Sequence, residues 1–158
     1  MSASLVGSEM CIRDRLQAKK PLKSTSLMSF KEIAVGDHSF QGKEKPMRLK
    51  DLIENPLISL GQGSTTYEFY SKFFLENDLV LSPDTEVETI DQVLPLIMNG
   101  LGIGFLPELF VRPVIEEGKV CQIPLKENIP EREICLVENH TFPPSIAADM
   151  FKKMLVLK

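Results

Sequence analysis

The chain has 158 residues, of which 43% are hydrophobic and 25% are charged. These values are those of an ordinary globular domain, and they exclude wholesale disorder, a collagen-like fibre and a disulfide-stapled miniprotein. The formal charge of −4 and the lack of a long basic stripe argue against direct nucleic-acid binding, because Lys and Arg contacts to phosphate dominate such binding.

The apolar runs, the N-terminus and the cysteines predict the cellular location of the protein. No apolar run approaches the roughly 20 residues that a membrane-spanning helix needs, and the N-terminus lacks the charged start and apolar core of a signal peptide. The cysteines Cys11, Cys121 and Cys135 are odd in number and far apart, which is typical of reduced thiols in a cytoplasm. We therefore expect a cytoplasmic protein without membrane contact.

Residues 1–15 show neither a helical nor a strand period, and they resemble a peptide translated from sequencing-adapter DNA. Segments that do not come from the native gene are excluded from fold prediction, and this segment is predicted to be non-native. The alternative is a natural disordered tail. On the first interpretation the native protein extends upstream of Leu16, and the chain is a fragment.

From residue 31 onward, strand-like and helix-like patterns alternate. A short apolar run at 33–35 precedes a polar loop at 37–45. A strand is predicted at 57–60, because the residue before Pro56 is pushed out of helical conformation. Glycines end this strand, and a helix capped by Ser64 or Thr65 is predicted next. Its aromatic residues have helical spacing and are expected in a core or a subunit interface: Tyr67, Tyr70, Phe73 and Phe74.

The next helix is the most clearly specified element. Thr89 and Gln92 form a capping box at its start, and Asn99 with Gly100 ends it. Its apolar residues fall on one helical face: Ile90, Val93, Leu94, Ile97, Met98 and Leu101.

The remaining elements complete an α/β pattern. Strands are predicted at 86–88, 102–106, 120–125 and 134–137, and a helix at 107–118. A last helix after Pro143 and Pro144 carries one apolar face: Ile146, Met150, Phe151, Met154 and Leu155. Strands that alternate with helices predict an α/β sheet with mostly parallel strands.

The segment 61–66, Gly-Gln-Gly-Ser-Thr-Thr, is the strongest candidate binding site. A strand that leads through glycines into a helix N-terminus presents backbone amides, the positive end of the helix dipole and hydroxyl groups together, which suits a carboxylate or phosphate. The alternative is that Ser64, Thr65 and Thr66 only cap the helix. The segment has neither the lysine of a phosphate loop nor the pattern of a nucleophile elbow.

Other residues that carry chemistry form no site in the sequence. His38 and His140 lie in predicted loops without a second ligand at metal spacing. The carboxylates offer no distinct acid–base pair: Glu86, Glu88, Asp91, Glu116 and Glu117. We therefore predict no metal, no cofactor and no catalytic residue.

Several motifs occur in a familiar order. Pro56-Leu57-Ile58 precedes the Gly-Ser-Thr-Thr turn, a helix ends in Gly100-Leu101-Gly102, a strand ends in Leu106-Pro107, and Gly118-Lys119-Val120 follows the next helix. In this order and spacing the chain resembles the effector-binding domain of LysR-type transcriptional regulators. The resemblance covers roughly residues 22–155.

The resemblance implies a type 2 periplasmic-binding-protein-like α/β fold, with a small, often anionic effector between two lobes. It implies that 31–126 form the second lobe, and that 16–30 and 130–157 are remnants of the first. Effector contacts carry over to Ser64, Thr65 and Thr66, with backbone near Gly102 as a further contact. The family often places an arginine where this chain has Tyr67, so an arginine-held carboxylate does not carry over.

The implied function is effector sensing rather than catalysis. DNA would bind only through a winged helix-turn-helix domain upstream of this chain, and the full-length protein would be a homodimer or homotetramer. The last helix would lack part of its first-lobe partners and expose an apolar patch. Two alternatives remain open: a stand-alone solute-binding module of a transport system, which would need a signal peptide, and an enzyme of the same two-lobed fold.

Overall fold

The computed structural model describes residues 3–4, 10–14, 21–42, 45–139, 141 and 143–156. In these ranges the strands are Ala3–Ser4 (β1), Met10–Asp14 (β2), Leu22–Phe30 (β3), Glu32–Gly36 (β4), Leu57–Leu60 (β5), Thr85–Val87 (β6), Ile103–Pro107 (β7), Cys121–Ile123 (β8) and Arg132–Asn139 (β9). The α-helices are Leu49–Leu52 (α1), Thr65–Leu75 (α2), Ile90–Met98 (α3), Glu108–Glu116 (α4) and Ile146–Val156 (α5). The chain divides into two compact units, a large unit of residues 31–130 and a small unit of residues 1–30 with 131–158.

The sheet of the large unit has the strand order β6-β5-β7-β4-β8. Strand β5 pairs in parallel with β6 and β7, whereas β4 pairs antiparallel with both β7 and β8. The prediction of mostly parallel strands therefore holds for four of the five strands and fails for β4. The four strands β5 to β8 share one direction, but the reversed β4 lies between two of them and turns both of its pairings antiparallel.

Helices cover both faces of this sheet. Side chains of β7 alternate between the two faces, and those on opposite faces belong to different buried clusters. Ile103 and Phe105 belong to one buried cluster with the aromatic residues of α2, namely Tyr70, Phe73 and Phe74. Leu106 belongs to the opposite cluster, with residues of α3 and α4, namely Val93, Ile97 and Val111. The aromatic residues of α2 therefore lie in the core, which was one of the two locations predicted for them.

Most predicted elements of the large unit are present. Strand β5 spans the predicted residues, and Asn99 ends α3 where the Asn-Gly pair was expected to end it. The side chain of Gln92 accepts a hydrogen bond from the Thr89 amide at 3.3 Å, which supplies its half of the capping box. Leu101, however, lies beyond the helix and is exposed. The polar loop at 37–45 contains a short 3-10 helix, His38–Phe40, whose Phe40 is buried.

The small unit is a second sheet with one described helix. Its strand order is β1-β2-β9-β3, and every pairing is antiparallel. Strand β2 lies within the segment 1–15, for which the sequence pattern predicted no element, and it pairs along β9.

Helix α5 buries part of its predicted apolar face and exposes the rest, in agreement with the predicted apolar patch. Phe151 and Leu155 pack with Ala148 against the sheet residue Leu136. The other three predicted residues, Ile146, Met150 and Met154, are exposed. The apolar residues of this helix therefore form two rows, of which one is buried.

Candidate functional site

The segment 61–66 connects the carboxyl end of β5 to the first turn of α2. The Gly61 amide donates to the Val87 carbonyl at 3.1 Å, which ties the loop to the neighbouring strand β6. Ser64 is the N-cap of α2, and its Oγ accepts a hydrogen bond from the Tyr67 amide at 3.0 Å. The cap is thus Ser64 rather than Thr65. Thr65 and Thr66 occupy the first helical turn, with Thr65 exposed and Thr66 half-buried.

The approach to this turn is open at Gly63. The backbone φ of Gly63 is +87°, a left-handed conformation that glycine adopts without strain. In the described structure, no atom lies within 4 Å of the position that a Cβ would occupy there. Gln62 and Gly63 are both exposed. A small molecule could therefore reach the backbone of the turn.

Three helices begin at the same edge of the sheet. Strands β5, β6 and β7 run in parallel, and each is followed by a helix: α2, α3 and α4 respectively. Helix N-termini carry partial positive charge, and ligands of open α/β sheets bind outside the carboxyl ends of the strands. The segment 61–66 therefore lies at the edge where this architecture favours a ligand.

Carboxylates moderate the positive character of that edge. The first turns of α2, α3 and α4 contain Glu68, Asp91 and Glu108. One oxygen of Glu86 also lies 3.3 Å from the position of a Cβ on Gly61. These charges oppose the binding of a highly charged anion, because like charges in proximity repel.

Gly102 lies at the opposite end of the sheet. It precedes β7, and the next amide, that of Ile103, donates to the carbonyl of Pro56 at 2.9 Å, just before β5 begins. The four-residue length of β5 separates this point from the loop at Gly61, about 13 Å at 3.3 Å per residue. The structure does not bring Gly102 together with Ser64, Thr65 and Thr66, so we leave it out of the candidate site.

The glycine at position 102 has a packing role. Its φ is +154°, and a Cβ there would lie 2.4 Å from the Pro56 oxygen. Only a residue without a side chain allows the backbone before β7 to approach the backbone before β5 so closely. This contact accounts for the glycine without a ligand.

Tyr67, at the position where the family often has an arginine, faces the core. It packs against the buried cluster that contains the α2 aromatic residues, and its hydroxyl lies 3.5 Å from the Leu81 carbonyl. Position 67 therefore provides no cationic side chain to a ligand, and its amide already donates to the Ser64 Oγ.

The other candidates do not assemble into a second site. His38 is exposed in its 3-10 helix, and His140 lies outside the described residues. Cys121 and Cys135 remain thiols, and the Cys121 Sγ donates to the Asp37 carbonyl at 2.9 Å. Within the described ranges, no three His, Cys, Asp or Glu residues are grouped to hold a metal ion.

Three buried charged residues had no signal in the sequence: Glu32, Arg132 and Glu138. Glu32 begins β4 and is buried. Arg132 begins β9, is also buried, and places its guanidinium carbon 5.5 Å from the centre of the Phe30 ring. Charged residues at strand ends are usually exposed, so their position in the sequence gave no indication of burial. Among the helices described, none is both long and apolar enough to cross a membrane.

Known proteins share both the sequence pattern and the fold. The family model described as the LysR substrate binding domain matches residues 9–156. The HTH-type transcriptional regulator YwqM of Bacillus subtilis (strain 168) is 26% identical over 117 residues, which are 74% of this chain and 39% of the relative. The chain thus spans about two fifths of the length of that relative.

Solved regulatory domains have the same fold. The CcmR regulatory domain of Synechocystis PCC6803, in complex with 2-PG, has a TM-score of 0.81 at 14% identity, covering 96% of this chain and 73% of that one. The effector binding domain of QuiR, in complex with shikimate, has a TM-score of 0.78 at 17% identity, covering 95% of this chain and 71% of that one. The fold is the type 2 periplasmic-binding-protein-like fold, and the chain belongs to the LysR substrate binding domain family.

Proposed function

We propose that this chain senses a small effector at Ser64, Thr65 and Thr66, as part of a LysR-type transcriptional regulator. The observation that carries the proposal is the open turn at the carboxyl edge of the large-unit sheet, where Gly63 leaves the approach clear and α2 begins. In this proposal the large unit is the second lobe of the effector-binding domain, and the small unit is part of the first.

The chemistry of the turn limits the effector. Backbone amides and the hydroxyl groups of Thr65 and Thr66 can hold an anionic or hydroxyl group. Tyr67 faces the core in place of an arginine, and Glu86 lies beside Gly61, so the local charge favours an effector with one acidic group over an effector with several. We therefore propose an effector with a single carboxylate or phosphate group, or a polyhydroxyl compound. The complexes of CcmR with 2-PG and of QuiR with shikimate support a small molecule in this role.

In the whole protein, effector binding would control DNA binding by a winged helix-turn-helix domain outside this chain. Two quaternary states with different spacing of the DNA-binding domains would differ in effector affinity, so the effector would shift their populations. The full-length regulator would act in the cytoplasm as a homodimer or homotetramer. We propose a sensor rather than an enzyme because the sequence relative is a transcriptional regulator.

Calorimetric titration tests this function. The probes are 2-PG, shikimate and a panel of small carboxylates and phosphate monoesters. For a probe that binds, Thr65→Val should weaken affinity by roughly 1–3 kcal/mol, because the effector loses its hydrogen bond to the Thr65 hydroxyl group, or about 5- to 150-fold in Kd.

The matched control is Thr25→Val, at a half-buried threonine in strand β3 of the small unit. It should leave the Kd unchanged. A Kd that is unaffected by Thr65→Val removes this residue from the site. Failure of every probe in the panel to bind contradicts the proposed effector class.

A further inference from the structure

A carboxylate and a buried hydroxyl group lie side by side on the sheet next to Gly61. Strands β5 and β6 are parallel, with Ser59 opposite Glu86 in the register. Leu57 belongs to the cluster that contains the α2 aromatic residues, and side chains alternate along a strand, so Ser59 and Gly61 also face α2. Val87 packs against the opposite cluster, which places Glu86 on the α2 face. Ser59 and Glu86 are therefore neighbours on the face where α2 begins.

Neither of these two polar groups has a partner within the described part of the chain. Ser59 is only 7% exposed, and its hydroxyl group forms no hydrogen bond with another described residue. Glu86 is exposed, with one oxygen 3.3 Å from the Cβ position of Gly61, and no described cation pairs with it. A buried polar group without a partner costs free energy. A ligand that bonds to the Ser59 hydroxyl group would recover that cost.

The segments around this pair are strongly acidic. Between positions 57 and 111 the sequence has eight acidic residues and one basic residue, Lys72. Lys72 lies in the last turn of α2 and pairs with Glu76 at 3.7 Å. Among the described residues, no cation pairs with the other carboxylates near the starts of α2 and α3, which are Glu68, Glu88 and Asp91. Such a surface attracts positive charge, so an acid group binds here more readily when the same molecule carries a cation.

We propose that the effector is zwitterionic and that its ammonium group binds Glu86 and Ser59. This proposal rests on the proposed function, in which the acid group of the effector binds at the first turn of α2. The ammonium group donates one hydrogen bond to the Glu86 carboxylate and one to the Ser59 hydroxyl oxygen. A primary ammonium group has three N–H donors, and its bond to a carboxylate is stronger than a bond between neutral groups. A small amino acid has both groups, and Glu86 selects its amine over a hydroxyl group at the same position.

Matched pairs of probes isolate the contribution of the ammonium group. L-alanine with L-lactate, L-serine with L-glycerate, and L-phenylalanine with L-phenyllactate differ by an ammonium group in place of a hydroxyl group. In calorimetric titration of the full chain, the amino acid of a pair that binds should bind at least about fivefold more tightly than its hydroxy acid. Equal affinities, or tighter binding of the hydroxy acids, overturn the proposal.

The same titrations separate this proposal from the proposed function. If 2-PG or shikimate binds and depends on Thr65 while no amino acid binds, the zwitterionic effector is excluded and the proposed function stands. If neither the anions nor the amino acids bind, both proposals fail.

A charge-neutral variant tests the role of Glu86. Glu86→Gln should weaken binding of the amino acid at least about fivefold and change the Kd of the matched hydroxy acid by less than about twofold. The matched control is Glu54→Gln, which removes the same charge from an exposed residue close to Pro56, at the opposite edge of the sheet, and it should leave both affinities unchanged. Equal losses for the amino acid and the hydroxy acid with Glu86→Gln would show a structural role and overturn the proposal.

A second variant tests the hydroxyl group. Ser59→Ala should weaken binding of the amino acid by about two- to tenfold. It should not lower the Tm, because the hydroxyl group that it removes has no described partner. A lower Tm with unchanged affinity for the amino acid would assign this hydroxyl group to the fold and remove Ser59 from the proposed site.

Discussion

The two units differ in how completely they cover their sheets. In the large unit, α2 packs on one face, and α3 and α4 pack on the other, so both sides of β7 are buried. In the described part of the small unit, α5 packs on the sheet through one row and leaves a second apolar row exposed. Apolar residues at helical spacing are therefore buried where helices cover the sheet, as in the large unit, and only partly buried in the described part of the small unit.

The largest expected loss of stability is in the core of the large unit. Phe74→Ala removes a fully buried ring that lies 6.1 Å from the ring of Phe105, and it should lower the free energy of unfolding by about 3–5 kcal/mol. Denaturant unfolding followed by circular dichroism measures the change. The adjacent Leu75 is largely exposed, and Leu75→Ala should cost less than about 0.5 kcal/mol. Similar losses for the two variants would contradict the core assigned to α2.

A smaller and more local effect is expected in the small unit. Leu136→Ala removes a fully buried side chain, but its neighbours Leu27, Phe151 and Leu155 are only partly buried and can relax into the space. The cost should lie near the lower end of the range for such substitutions, about 2–3 kcal/mol. Hydrogen exchange should show faster exchange in β3 and β9 and unchanged protection in β5 and β7. Equal loss of protection in both units would show that they unfold together, and it would contradict a local effect confined to the small unit.

The close approach of the backbone at Gly102 to Pro56 gives a third test. Gly102→Ala should destabilise the chain by about 2 kcal/mol, because the new Cβ would meet the Pro56 oxygen and the backbone conformation is strained for alanine. Gly118 also has a positive φ, +72°, but its Cβ position has no described atom within 4 Å. Gly118→Ala should therefore cost about 1 kcal/mol. Thermal unfolding of both variants isolates the cost of the Pro56 contact, and equal losses would rule that contact out.

Local patterns predicted helices α2 to α5, whereas the four-residue helix α1 was not predicted. The Ser64 cap, the Gln92 side of the capping box and the end of α3 at Asn99 are all determined by residues within one turn of each other. The strand at 57–60 followed from Pro56 and from the glycines after Leu60 in the same way.

Long-range arrangement could not be predicted from those patterns. Nothing near Glu32 indicates that β4 is reversed and inserted between β7 and β8, because strand direction is set by pairing partners 69 to 89 residues away. The same limit explains Gly102. Its place beside a Gly-Leu-Gly motif suggested a ligand contact, whereas its partner is Pro56, at the edge of the sheet opposite Ser64.

Amide NMR of the labelled chain locates the residues that contact the effector. Titration with shikimate, 2-PG and inorganic phosphate should shift the amide signals of residues 61–66 most strongly. The signals of residues 100–103, at the far edge of the same sheet, should stay in place. The largest shifts at residues 100–103, or shifts confined to the small unit, would contradict an effector site at the start of α2.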